Sequence, residues 1–162
     1  MTILARPLTR EDFAPFGDVV EADDAQAVVM NAGRARRFFD LAHVDLLGEG
    51  ARPMVSIARS DGATLPYELS MVERHPLGSQ MFFPLSSEPF LVTVAPDEGG
   101  VPGEPRAFLT APGQGINYAA NVWHGVLTPL GATADFLIVD RGGPGSNLVE
   151  HRFATPYLVV LA

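Results

Sequence analysis

Fourteen prolines and sixteen glycines, spread along 162 residues, set the tightest limit on what this chain can fold into. Proline ends helices and central strands, and glycine marks turns, so long helices are largely ruled out. Many short strands between turn signals predict an all-β sandwich or barrel. Strands are expected at residues 18–21, 53–59, 67–73, 106–110 and 134–140, the last a highly buried one. The most convincing strand is Phe90-Leu91-Val92-Thr93-Val94-Ala95, whose nearly continuous apolarity predicts burial on both sides. Thr9 is placed to cap a short helical turn that Pro15 stops, with Glu11 and Asp12 at its positive end. Residues 41–47 fit strand or helix equally well, and residues 96–105 read as a loop. The tail Tyr157-Leu158-Val159-Val160 is apolar enough to pack on the barrel or on a second subunit. With no internal repeat and no boundary signal, residues 1–162 are expected to form one domain.

Charge and composition then exclude several classes of function. A formal net charge of −8 argues against a nucleic-acid partner, which normally meets a basic face. It leaves room for a small anionic substrate, because a pocket's local field can oppose the global sign. The chain has no cysteine, so disulfides, thiolate metal sites and thiol nucleophiles are impossible. Charge and proline near Met1 interrupt the apolar run that a signal peptide needs, and no window approaches a membrane-spanning length. A cytoplasmic protein without a membrane partner is the expectation.

Chemistry concentrates in Glu73-Arg74-His75-Pro76-Leu77-Gly78-Ser79-Gln80. In an extended chain Glu73 and His75 share a face, and beyond the Pro-Leu-Gly corner so do Gln80 and Phe82. A second imidazole, His124, follows Asn121-Val122-Trp123 at the start of another strand. Together Glu73, His75, Gln80 and His124 would line a small polar pocket. Their atoms suit general acid–base chemistry, with or without a metal such as zinc, nickel, copper or iron. His43 and His151 read as exposed or structural, and Arg34, Arg36 and Arg37 as a solvated basic run. Neither a Gly-x-Gly-x-x-Gly turn, a lysine-bearing phosphate loop nor a Gly-x-Ser-x-Gly elbow is present, so phosphate binding and covalent hydrolysis have little support.

Several runs resemble the ureidoglycolate lyase family: residues 73–80, Asn121-Val122-Trp123-His124 and residues 135–143. Pro7-Leu8-Thr9-Arg10, Phe16-Gly17-Asp18-Val19 and Asp40-Leu41-Ala42 match as well, in order. The resemblance implies a cupin-type double-stranded β-helix (a jelly-roll barrel), usually a homodimer, acting in allantoin (purine) catabolism. The implied reaction splits (S)-ureidoglycolate into glyoxylate and urea. Against the usual cupin ligand pattern, Glu73 falls at the first histidine, His75 matches the second, Gln80 takes the acidic place and His124 matches the third histidine. The resemblance carries a divalent metal, nickel or zinc, with His75, Gln80 and His124 as its ligands. It makes His124 the base toward the substrate hydroxyl and His75 or Glu73 the acid toward urea. Gln80 would orient the substrate or hold the metal, and Asn121 is a further substrate-binding candidate. Arg141 and Arg59 are expected to meet the substrate carboxylate, since burying it unpaired is costly. Arg74 should point away from Glu73. A non-catalytic cupin-like binding or sensing module is the competing reading, and a metal-dependent isomerase or oxygenase a weaker one, because Gln80 is not a carboxylate.

Overall fold

The computed structural model describes residues 1–162. In chain order the first strands are β1 (Thr2–Pro7), β2 (Gly17–Val20), β3 (Val28–Met30), β4 (Ala35–Arg37), β5 (Arg52–Ser60) and β6 (Tyr67–Arg74). They are followed by β7 (Gln80–Pro84), β8 (Phe90–Ala95), β9 (Asp97–Glu98), β10 (Val101–Pro102) and β11 (Arg106–Leu109). The last are β12 (Gly115–Tyr118), β13 (Trp123–His124), β14 (Thr128–Pro129), β15 (Ala134–Gly142) and β16 (Val149–Leu161). The one α-helix, α1 (Arg10–Phe13), is a single turn, started as expected by Thr9, whose Oγ1 accepts from Asp12 N at 3.1 Å. No helix is long and apolar enough to cross a membrane.

Two layers make a cupin-like β-barrel. One is a five-stranded sheet in the order β2-β12-β7-β15-β5. The other runs β11-β1-β16-β6-β13-β8, and β8 pairs back onto β11 so that the ring closes. Strand β8 is the seam between two hydrophobic cores. Its Phe90, Val92 and Val94 pack between the layers with Phe82, Phe108, Ile116 and Phe136. Its Leu91 and Ala95 face into the ring with Leu69, Val72, Trp123 and Val159. A strand buried on both faces has no use for polar alternation, which is why this one reads as an unbroken apolar run. Fully buried Phe90 and Phe136 meet edge-on, ring centroids 5.1 Å apart.

Elsewhere the strand pattern misleads. In β15 only alternate residues turn to the core, so the strand is half-buried rather than sealed. Its outer residues Leu137 and Val139 sit beside Ile57 and Val55 of β5, which are 66% and 69% exposed. Residues 41–47 form neither helix nor regular strand. They are pinned as a strap: His43 N donates to Asp18 Oδ2 (2.9 Å), Asp45 N to Ser79 Oγ (2.8 Å) and Leu47 N to the Leu77 carbonyl (2.9 Å). The loop after β8 carries the two-residue hairpin β9–β10. The tail is a full strand of this barrel, parallel to β1 and antiparallel to β6.

Gly17 has a conformational reason to be glycine. Its φ is +144°, and a Cβ there would fall against the backbone oxygen of Asn117, its neighbour across the β2–β12 pair. Gly17→Ala is therefore expected to cost more than about 3 kcal/mol in chemical unfolding, while Gly113→Ala, whose Cβ would meet open space but whose φ is +78°, costs about 1–2 kcal/mol.

Candidate active site

The polar residues of the inner faces gather at one end of the barrel. Across the five-stranded sheet, cross-strand partners form a rung: Met54 on β5, Asp140 on β15, Gln80 on β7 and Tyr118 on β12. Partners in register share a face. The next rung inward is apolar, Ile138, Phe82 and Ile116, and it belongs to the core. From the other layer, His124 on β13 pairs directly with Glu73 on β6. His75 stands just past the end of β6, on the corner that leads to Gln80.

The two imidazoles meet. Their ring centroids are 5.3 Å apart, and His75 Nε2 lies 3.7 Å from Glu73 Oε1. His124 stacks face to face on Tyr118, at 4.1 Å and 6° between planes. Each histidine is fixed through Nδ1, which donates to a carbonyl oxygen: Asn147 for His75 (2.7 Å) and Gly125 for His124 (3.0 Å). A carbonyl can only accept, so the proton must sit on Nδ1 and the variable position is Nε2. Both Nε2 atoms are buried and have no partner in the protein. With a Glu73 oxygen they form a group whose atoms all lie within 4.8 Å of one another. A donor set of two imidazole nitrogens and one carboxylate, oriented by carbonyls behind the rings, fits a divalent metal ion.

Burial holds the His124 imidazole neutral, lowering its pKa to about 4 against the opposing pull of the Gly125 carbonyl, with His75 adding to the depression. Burial also works against a charged His75, but the Glu73 carboxylate, the Asn147 carbonyl and the field of Asp140 outweigh it and raise its pKa. Glu73 is lowered, chiefly by the His75 imidazole 3.7 Å away and despite its own burial. Two rings in contact therefore prefer opposite protonation states. One accepts a proton and the other can give one.

Of the residues expected from the sequence, the structure brings Glu73, His75, Gln80 and His124 together. Three others lie elsewhere. Arg59 is on the outer face of β5, gripping Asp135 through two bonds of 2.7 and 2.9 Å. Arg141 follows Asp140 on the same strand and so points away from the cup, donating to the carbonyls of Leu47 (2.6 Å) and Pro144 (2.9 Å). Asn121 is an exposed turn residue at φ 67° whose backbone N–H donates to the His75 carbonyl at 2.8 Å. Arg74 turns to the face opposite Glu73 as expected, 4.2 Å over the Trp123 ring and 2.7 Å from Asp97. His43 is exposed beside Asp45, and His151 packs against Phe153 and Trp123. Sequence reasoning missed Asp140, Tyr118 and Asn147. The first two were within reach, because Asp140 shares the parity of core residues Phe136 and Ile138, and Tyr118 that of Ile116. Asn147 gave no signal. It works through its carbonyl on His75 and through Oδ1, which accepts from Leu77 N at 2.7 Å.

A surface cleft of about 630 Å³ runs past Arg6, Glu98, Glu104 and Arg106 and carries none of these groups. Fold and site together define a cupin-like barrel with an imidazole–carboxylate centre between its layers. A family model described as ureidoglycolate lyase matches residues 1–160. A ureidoglycolate lyase of Chelativorans sp. (strain BNC1) is 62% identical over 98% of this chain and 96% of its own length. Ureidoglycolate lyase 2 of Rhizobium meliloti (strain 1021) is 58% identical over 97% and 96%, and the Mesorhizobium japonicum ureidoglycolate lyase 57% over 98% of both chains. A solved dTDP sugar isomerase of Desulfovibrio desulfuricans G20 aligns with 86% of this chain and 84% of its own at TM-score 0.47 and 13% identity, too slight a likeness to build on. The chain belongs to the ureidoglycolate lyase family.

The burial of neutral His124 has a thermodynamic consequence. Between pH 6.5 and about 4 the unfolded chain binds a proton at this site that the folded chain refuses, so this contribution to stability falls as pH falls. The size is about 3 kcal/mol across that window. In urea unfolding, wild type should lose stability relative to His124→Gln between pH 7 and pH 4. A pH-independent difference would show that the ring is not held neutral.

Proposed function

We propose that this chain splits ureidoglycolate into glyoxylate and urea by acid–base elimination, with His124 as base and His75 as acid. The reading is carried by one observation: two imidazoles in contact, each pinned through Nδ1, present free Nε2 atoms to the same space beside Glu73. His124 Nε2, neutral at physiological pH, takes the proton of the substrate hydroxyl. As the carbonyl of glyoxylate forms, the carbon–nitrogen bond breaks. The departing urea nitrogen receives the proton of His75 Nε2. Glu73, ionised and across the strand pair from His124, stabilises the imidazolium that forms there. Of the two candidate acids, Glu73 is unsuited because its lowered pKa keeps it deprotonated.

A divalent metal, nickel or zinc, would be held by Glu73 and the same two Nε2 atoms and would polarise a hydroxyl or carboxylate oxygen; with it bound the two rings would serve as ligands rather than as base and acid. The substrate is a small anion, and Arg59 and Arg141 are both committed elsewhere. The cation offered to its carboxylate inside the cup is protonated His75, or the ion in its place where one is held. A second copy of the chain is the fitting partner for the outer face of the five-stranded sheet. There Val55, Val139 and Met81 lie in one row and Ile57, Leu137 and Phe83 in the next. The setting is the cytoplasm, where purine breakdown feeds nitrogen metabolism.

Urea and glyoxylate appearing from ureidoglycolate, measured before and after chelation, test the activity and its metal dependence. Binding without product would favour a binding module instead. His124→Ala should lower kcat by about 10²–10⁴ without unfolding the protein. The wild-type rate should hold from just above the His124 value of about 4 and fall as pH rises through the raised pKa of His75. In His75→Gln that basic limb should vanish, and its persistence would assign the acid to another group.

A further inference from the structure

Asp140 and Gln80 are cross-strand partners on the sheet opposite the imidazoles, and neither gives or takes a proton in the transfers above. Gln80 Nε2 donates to Asp140 Oδ2 at 3.4 Å. A carboxylate can only accept, so this bond turns the Gln80 amide nitrogen inward to the pair and leaves its oxygen outward. Both remaining atoms, Gln80 Oε1 and Asp140 Oδ1, are buried without a partner. Two adjacent acceptors without a donor call for a ligand group that carries N–H bonds and no lone pair to repel them. Leaving such oxygens unmet costs the folded chain their desolvation, so a ligand that meets them gains correspondingly.

We propose that Asp140 and Gln80 form the subsite that reads the terminal amide nitrogen of a ureido acid, a specificity role that rests on the lyase reading for its substrate class. The two ends of the substrate are then sorted by hydrogen-bonding sense. The carboxylate and hydroxyl, rich in lone pairs, go to His75, His124 and whatever cation Glu73 holds. The –NH₂ end, rich in hydrogens, goes to Asp140 and Gln80.

The test uses two ligands that lack the hydroxyl and so cannot react. Ureidoacetate ends in –NH₂, and N-acetylglycine has a methyl in the same place. Binding to the wild-type chain, measured by calorimetry at fixed pH and metal content, should favour ureidoacetate at least about tenfold, the worth of one well-met buried acceptor. Asp140→Asn, which turns a donor toward the ligand, should reduce that ratio to near one while leaving N-acetylglycine affinity within about threefold; Gln80→Met should reduce it in part. Both ligands carry the same carboxylate, so a change confined to the charge of His75 would shift them together and leave the ratio alone. Circular dichroism confirms that each variant is folded, and Asp140→Ser serves if Asp140→Asn is not. A wild-type ratio near one, or a ratio that survives in the Asp140 variant, overturns the proposal. Failure of wild type to release urea from ureidoglycolate would sink the lyase reading alone, since the binding ratio does not depend on turnover.

Discussion

Two backbone carbonyls decide the chemistry of this cup. Because the oxygens of Asn147 and Gly125 take the Nδ1 protons of His75 and His124, both rings turn the same edge, Nε2, into the same space. Rotate either ring and its free nitrogen would be spent on main chain. The fold makes this arrangement hard to lose. His124 is clamped from one side by Tyr118 and from the strand edges by Glu73 and Val94, while His75 hangs on a corner tied at both flanks to Asn147. The general point is that a histidine's role is set behind the ring, by the partner of the nitrogen that does not react.

Depth then separates two chemically identical side chains. His124 lies at the floor, where burial outweighs every nearby charge and neutrality wins. His75 is nearer the rim, within reach of Glu73 and Asp140, and there the carboxylates win over desolvation. The same residue type thus supplies opposite proton-transfer roles without any covalent intermediate. Glu73 serves both rings, because it lies 3.7 Å from the Nε2 of one and is the cross-strand neighbour of the other.

How far this was legible in the sequence is a matter of parity. Strand β8 announced itself because a two-faced core needs an unbroken apolar run. Glu73, His75, Gln80 and His124 were legible because polar residues at the ends of apolar strands have few other reasons to be there. Arg141 was chosen for its charge, and its neighbour Asp140 was passed over, although period-two counting from core residue Phe136 puts 138 and 140 inward and 141 outward. Arg59 fails by the same count, being in step with exposed Val55 and Ile57. What no counting could supply is the strap at residues 41–47 and the carbonyl of Asn147. Both act through long-range contacts of irregular backbone, where side-chain type carries little information about position.

Parity also explains how one sheet serves two environments. Along β15 the inward positions pass from Phe136 through Ile138 to Asp140, so the barrel's core grades into its active cup without a break in the strand. The polar rung therefore rests directly on packed residues of the core, with Gln80 Oε1 and Asp140 Oδ1 buried and unpartnered. Polar groups held in this way reduce stability until they are met. The apolar rows beneath Asp140 and Gln80 therefore matter to recognition as much as the polar atoms themselves: Ile138, Phe82 and Ile116 supply the cohesion against which an unsatisfied cup can be kept open.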